Sequence, residues 1–301
     1  MEYFNLKSKT AIPAIGFGPD EMGYSPRRRQ IHSDIVHRGL RKIKRITVDE
    51  PKYVNCVQSA FECGFRLLDW SAAYGNGELL SRAIKKAGVK REEMMITTRV
   101  SNKAQFNKTV REEFLAQLKG FDTDYIDILM FHWPVTGCYE ATWEEMLKLK
   151  EEGYCRILGV ANCHEKHLER LKSVGGVFPE LNQVEIHPLF TQIPLRNYCK
   201  NNGIQVEAYS PTARHDDRLF NPPLVRNIAK RYKKTPTQII LRLHIQNGII
   251  PIIRSLNTKH QIEDISVFDF VISDDDMKKI DSLNINARIR YDPDNCDFSC
   301  L

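Results

Sequence analysis

Residues 125–131 read YIDILMF and run directly into His132, Trp133 and Pro134. Seven residues is the length of a strand, and apolar side chains fall on consecutive as well as alternate positions. That is the pattern of a parallel strand covered on both faces, not of a strand with one wet face. Working outward, comparable runs occur at 12–17 (IPAIGF), 65–68 (FRLL), 95–98 (MITT), 156–160 (RILGV), 181–186 (LNQVEI), 204–208 (IQVEA) and 249–253 (IIPII). Eight strands are therefore expected.

The segments between them carry helical spacing. In 109–121, Val110, Phe114, Leu118 and Phe121 share one face, and Thr109 with Glu112 predicts a capping box. Thr235, Pro236 and Gln238 combine an N-cap, a proline in the first turn and a capping-box glutamine; Ser273 with Asp276 opens a last helix in the same style. Strands alternating with helices and no break in composition predict an α/β fold: a single (β/α)8 TIM barrel domain over 1–301. The opening MEYFNLKSKTAI predicts a short N-terminal hairpin closing the barrel floor.

With 301 residues, 42% of them hydrophobic and 27% charged, the chain can bury a large core. No run approaches the roughly 20 apolar residues of a membrane span, and the N-terminus lacks a signal-peptide core. Eight cysteines without a CxxC pair point to reduced thiols and a cytoplasmic protein. The net charge of +6 is local: between Pro26 and Thr47 lie eight basic residues (Arg27, Arg28, Arg29, Arg38, Arg41, Lys42, Lys44, Arg45) and one acid, Asp34. The rest of the chain is nearly neutral. This basic insert, 20–50, leaves the loop after the first strand. Ile31, Ile35, Val36, Leu40 and Ile43 recur in it at helical intervals, which would let part of 30–46 dock one face on the barrel. It reads either as a solvated surface segment or as a lid for an anionic substrate or a cofactor's phosphates. Nucleic acid is disfavoured, because no aromatic side chain for base stacking lies between Pro26 and Thr47.

Chemistry in such barrels sits at the C-terminal ends of the strands. Those positions hold Asp69 with Tyr74 beyond it, Arg99, His132, Asn162, Gln183, Tyr209 with Ser210, and Arg254 with Ser255. Singly, each has an ordinary structural explanation; together on one rim they make a site. There is no HxH for a metal hydrolase, no GxSxG elbow, and no GxGxxG or P-loop. Glu185 and His187 are the nearest metal pair and His164 with His167 read as lining a surface helix, so no metal is expected. What remains is a phenol, an imidazole, an acid and a cation, a set suited to protonating a carbonyl oxygen.

The sequence resembles the aldo-keto reductase superfamily over nearly the whole chain. The resemblance is carried by GFRLLDWSAAYGNGELL (64–80), ITTRV (96–100), DILMFHWPV (127–135), GVANC (159–163), LNQVEIHP (181–188), EAYSPT (207–212), RSLN (254–257) and RYDPD (290–294). It implies reduction of an aldehyde or ketone by hydride transfer from NADPH, with NADH also accommodated. Tyr74 would be the proton donor, His132 would orient the carbonyl, and Asp69 would pair with the cation at Arg99. Asn162 and Gln183 would hold the carboxamide, Tyr209 would stack on the nicotinamide, and Ser210 would contact the pyrophosphate. Arg254, Ser255, Asn257 and His260 would meet the 2′-phosphate, and Glu263 and Asp264 the adenine.

Departures from the family pattern set further expectations. Arg99 replaces the tetrad lysine; it keeps the charge, could pair bidentately with Asp69, and cannot relay a proton. Gly18-Pro19-Asp20 replaces the usual loop after strand one, so Trp70 and Trp133 are expected to supply aromatic surface to the substrate pocket. His260 stands where arginine usually meets the 2′-phosphate, which weakens discrimination against NADH. Ala161 removes a carboxamide-binding hydroxyl. The tail holding Cys296 and Cys300 is short, so an open pocket is expected, in a monomer or weak oligomer. The alternative function is an NADP(H)-binding barrel with low turnover, serving as a sensor or regulatory subunit.

Overall fold

The computed structural model describes residues 1–19, 50–74 and 76–298. The insert's expected helix and lid lie outside the described residues, as does Cys300. The chain opens with an antiparallel hairpin, β1 (Tyr3–Asn5) and β2 (Ala11–Pro13), in which Phe4 faces Ile12 in register. Eight parallel strands follow and close into a barrel: β3 (Gly16–Phe17), β4 (Leu67–Asp69), β5 (Met95–Val100), β6 (Ile126–Phe131), β7 (Cys155–Ala161), β8 (Leu181–Glu185), β9 (Gln205–Tyr209) and β10 (Ile249–Ile253). Closure is made by β10 against β3, with Ile252 opposite Gly16.

The helices wrap outside. Among the described residues they are α1 (Glu50–Glu62), α2 (Gly77–Ala87), α3 (Asn102–Asn107), α4 (Val110–Phe121), α5 (Tyr139–Glu151), α6 (Glu165–Gly175), α7 (Ile193–Asn201), α8 (Asp217–Phe220), α9 (Pro223–Tyr232), α10 (Pro236–Gln246), α11 (Thr258–Ile265) and α12 (Asp274–Asp281). The boundaries follow local chemistry. Thr235 Oγ1 accepts from Gln238 N at 3.2 Å while Gln238 Oε1 accepts from Thr235 N at 2.9 Å, so the box at α10 forms. Ser273 caps α12 through Asp276 N at 3.3 Å.

Two expectations are corrected. Thr109 precedes α4 but makes no capping bond: α3 ends on left-handed Lys108 just before it, and Thr109 (φ −112°, ψ 36°) lacks the extended backbone that sets a hydroxyl over a helix start. The run 12–17 is not one strand. Its first part pairs with β1 and only Gly16–Phe17 enters the barrel, because the chain changes pairing partner in between.

Alternation along the strands divides the side chains. Outward residues such as Leu68, Ile96, Leu129, Val160 and Val184 pack against the helices in the main core. Leu67, Ile128, Met130, Ile157, Leu181, Ile250 and Ile252 form a separate apolar cluster, joined by Leu6 and Ile12 of the hairpin. The hairpin therefore plugs the barrel floor, as expected from its sequence.

Candidate active site

The same alternation that puts Leu67 inward puts Asp69 inward two residues later, and Leu181 is followed by Gln183 in the same way. Asp69, Arg99, Gln183 and Glu207 meet above the floor cluster, all buried. Arg99 is 1% exposed and donates to Asp69 Oδ1 at 2.5 Å, to the Trp70 carbonyl at 2.8 Å and to Gln183 Oε1 at 2.7 Å. The pair with Asp69 is thus single, not bidentate, because one amino group is held by the Trp70 carbonyl. Burial works against the guanidinium's charge, but Asp69, then Tyr74 and Glu207, outweigh it and raise its pKa above the usual value.

Gln183 binds this group together. Its Nε2 donates to Asp69 Oδ1 at 3.1 Å and to Glu207 Oε2 at 2.9 Å. Both amide N–H bonds are therefore committed inside the network rather than toward the rim, where carboxamide binding was expected. The strand continues two residues past Gln183 to Glu185, which is the geometric reason for its depth.

Tyr74 ends a short 3-10 turn after β4, half-buried, within the field of Arg99. His132 directly follows β6; burial, then Arg99 and Arg290, push its imidazole down to about 3, so the ring is neutral at ordinary pH. A neutral imidazole can donate one N–H to a carbonyl oxygen without placing a second charge beside Arg99. Asn162, left-handed at φ 61°, follows β7; its Nδ2 donates to the His132 carbonyl at 3.0 Å and its Oδ1 accepts from Tyr209 Oη at 2.8 Å. The phenol of Tyr74, the ring of His132 and the Asn162–Tyr209 pair thus border one opening of the barrel.

Comparison with known proteins identifies the family. Residues 39–285 match the aldo/keto reductase family. The chain belongs to that family. An uncharacterized oxidoreductase, YtbE, of Bacillus subtilis is 41% identical over 249 residues, covering 81% of this chain and 88% of the relative. A glyoxal reductase of the same organism is 39% identical over 242 residues, covering 80% and 87%. Among solved structures, an aldo-keto reductase from a Medee basin deep-sea metagenome superposes with a TM-score of 0.84 at 33% identity, covering 98% of this chain and 99% of that one. A Bombyx mori aldo-keto reductase in complex with NADP gives 0.83 at 28% identity, covering 97% and 96%.

In this aldo/keto reductase the opposite side of the rim is formed by β10 and α11. Arg254 follows β10 and is exposed. Ser255 Oγ accepts from Asn257 N at 3.2 Å and donates to its carbonyl at 3.1 Å, and Asn257 Oδ1 caps α11 through Lys259 N at 2.9 Å. Both residues thus shape the turn that leads from β10 into α11. His260 is exposed, Glu263 is half-buried, and Asp264 is buried, with burial and then Glu263 pushing its carboxyl up to about 7. A recess of about 310 Å³ lined by Lys52, Asn55, Cys56, Leu256 and Thr258 opens beside them. Ser210 follows β9 at φ 50°, and Ala213, Arg214 and His215 after it are also left-handed, a strained turn on the rim between the two sides.

The aromatic expectations separate. Trp70 does not line the pocket: alternation after inward Asp69 turns it outward, where it meets Phe121 edge-on at 4.9 Å, stands 3.1 Å from where a Cβ on Gly77 would be, and donates to Asn76 Oδ1 at 2.8 Å. Trp133 stays beside His132, ring centroids 6.5 Å apart, under Phe298 of the tail.

The histidine pairs also resolve into structure. Glu185 accepts from His187 at 3.0 Å and from the backbone N–H groups of Ile289 and Arg290 at 2.6 and 2.8 Å, so its carboxylate fastens the tail to β8. His164 and His167 do not line an open helix surface. His164 stands at the start of α6, paired with Asp294 of the tail at 3.1 Å, and His167 is buried. The seven described cysteines are free thiols. None of the described helices is long and apolar enough to cross a membrane. Sequence reasoning missed Glu207; its signal was its inward parity with Tyr209 on one strand.

Proposed function

We propose that this aldo/keto reductase reduces an aldehyde or ketone to the alcohol, with NADPH as hydride source and Tyr74 as proton donor. The observation that carries the reading is the buried Asp69–Arg99 pair lying below a phenol and a neutral imidazole at one barrel opening. The glyoxal reductase among the relatives supports a carbonyl substrate, and the NADP complex of the Bombyx mori protein supports the cofactor.

The residues fit a dinucleotide by their chemistry: amide and phenol at one end, exposed Arg254 and a buried carboxyl at the other. NADPH, when bound, supplies the hydride. Asn162 and Tyr209 then serve its nicotinamide end and Ser210 its pyrophosphate. Arg254, Ser255, Asn257 and His260 serve the 2′-phosphate, with Glu263 and Asp264 at the adenine. His260 is a weaker phosphate partner than arginine, so NADH competes more easily than it would against two guanidinium groups. His132 donates a hydrogen bond to the carbonyl oxygen and so fixes it against Tyr74. The phenol gives up its proton to that oxygen under the field of Arg99.

An anionic substrate is supported by Arg290. Its backbone N–H is pinned to Glu185 at 2.8 Å, above the register pair Glu185–Tyr209, and its charge is felt at His132 and Tyr209. Its guanidinium has no carboxylate partner among the described residues and lies over the ring of neighbouring Tyr291 at 6.0 Å.

A second reading, an NADP(H)-binding barrel of low turnover acting as sensor or regulatory subunit, is favoured by one observation. Arg99 spends its hydrogen bonds on Asp69, Trp70 and Gln183 and reaches Tyr74 through space only. NADPH oxidation against a panel of neutral and carboxylate-bearing aldehydes separates the two. Tyr74→Phe is expected to lower turnover by about 10²–10⁴-fold while quenching of NADPH fluorescence on binding persists. Turnover left intact by Tyr74→Phe would remove the proton-donor assignment. Tight cofactor binding without turnover on any carbonyl would select the sensor.

A further inference from the structure

Glu207 points into the barrel from β9, in register with Gln183 on one side and Ile250 on the other. It is 0% exposed. Its Oε2 accepts from Gln183 at 2.9 Å, while its Oε1 has no hydrogen-bond partner among the described residues. The Gln183 amide continues to Asp69 at 3.1 Å and to Arg99 at 2.7 Å. Two carboxylates are thus joined to one guanidinium through one amide. The groups acting on Glu207 are Asp69 from β4, Arg99 from β5 and Gln183 from β8; on β10 its register partner is apolar. Tyr74 shares the field of the same guanidinium.

We propose that Glu207 is a positioning residue of the reductase centre: it fixes the Gln183 amide that holds Arg99 against Asp69, and its charge state sets how much of the guanidinium's field is left for the Tyr74 phenol. The part given to Tyr74 rests on the reductase reading above. One cation can balance one buried carboxylate; a second ionised carboxylate in the same dry space is unfavourable. Burial, and then Asp69, accordingly push the Glu207 carboxyl up to about 7, against the pull of Gln183 and Arg99. Below that pH, Glu207 keeps its proton and the network is neutral, Asp69 against Arg99. Above it, the network carries a net negative charge, and the phenol holds its proton more tightly. Carbonyl reduction, which needs that proton released, slows as the pH rises. Arginine suits this arrangement better than lysine would, because its planar head serves Asp69, the Trp70 carbonyl and Gln183 at once.

Glu207→Gln tests this, since glutamine keeps the shape and an acceptor for Gln183 but cannot ionise. With saturating NADPH and an aldehyde, kcat of the wild-type protein is expected to fall about threefold as the pH rises through neutrality, a Brønsted response to a weaker acid. In Glu207→Gln that step is absent and KM is unchanged; a step of equal size in both proteins would overturn the proposal. A second readout needs no turnover. The ultraviolet difference titration of Tyr74, taken against Tyr74→Phe in each background, should come at lower pH in Glu207→Gln. Titration at the same pH in both backgrounds overturns the proposal. A protein that reduces no carbonyl would sink the reductase reading and leave Glu207 to be decided by that titration. Should Glu207→Gln not fold, Gln183→Leu cuts the same link from the other side and is expected to displace or abolish the step near neutrality. An unmoved step there counts against the proposal.

Discussion

On β4, Leu67 faces the barrel interior among Ile128, Ile157, Leu181 and Ile250, whereas Asp69, two residues on and facing the same way, lies against Arg99 and Gln183. The floor and the upper layer share strands, parity and burial, but they answer to different physics. The floor gains from every apolar surface it removes from water, and the hairpin residues Leu6 and Ile12 add to it. The upper layer removes two or three charges from water, and even good pairing rarely makes that a net gain in stability. On the proposed function, its groups are held for what they do at the opening above. If so, variants in the two layers should separate stability from activity.

The largest effect is expected at Arg99. Arg99→Met leaves Asp69 without its cation beside Glu207, which should lower stability by about 3–5 kcal/mol and turnover by about a hundredfold or more. Denaturant unfolding and NADPH oxidation read the two effects on the same preparation. An Arg99→Met protein of normal stability would mean that Glu207 and Asp69 share one proton without help from the guanidinium. In the floor, Ile157→Ala should cost about 2–5 kcal/mol through the cavity it opens among Met130, Leu181 and Ile250. There kcat and cofactor affinity should hold, because no atom of that cluster belongs to the rim. A floor variant that lost activity in proportion to stability would break the separation.

The two layers also differ in how far they were legible in the sequence. The floor and the strands follow from apolar runs, so all eight barrel strands were found, within a few residues. The one misjudged run, 12–17, failed because periodicity cannot reveal that a continuous apolar segment changes its pairing partner. Strand-end residues Asp69, His132, Asn162, Tyr209 and Arg254 were also legible, since a polar residue ending an apolar run is conspicuous. Residues one turn of the pleat deeper were not. Gln183 is expected at the rim through the family resemblance, although the run LNQVEI itself extends past it and the strand ends only at Glu185. Glu207 was passed over within EAYSPT, although its parity with Tyr209 fixes it as inward-facing once the strand is drawn. Trp70 failed by the same rule in reverse: it follows an inward aspartate and therefore points out. Capping at Thr109 failed because it depends on backbone angles set by the preceding helix.

The smallest expected effect sharpens the comparison most, because the floor cannot imitate it. Glu207 has its carboxyl raised from an ordinary value of 4.5 to about 7 in the folded chain. Between those values the unfolded chain has released this proton and the folded chain still holds it. Its contribution is therefore fully present below the unfolded value, fades as pH rises, and is gone above the folded one. The slope is at most about 1.4 kcal/mol of lost stability per pH unit for one proton. Asp264, also raised to about 7, adds a similar slope to any variant that retains it, so the measurement is the difference between wild-type protein and Glu207→Gln. Unfolding free energies measured at steps across that window should converge or cross as the pH rises, with the glutamine variant gaining relative to the wild type. Ile157→Ala, by contrast, should run parallel to the wild type at every pH, since the missing hydrocarbon groups bind no proton. A pH-independent gap for Glu207→Gln would mean that its carboxyl ionises as readily in the folded barrel as in the unfolded chain. The upper layer would then have to accommodate three full charges in the space where the floor holds none.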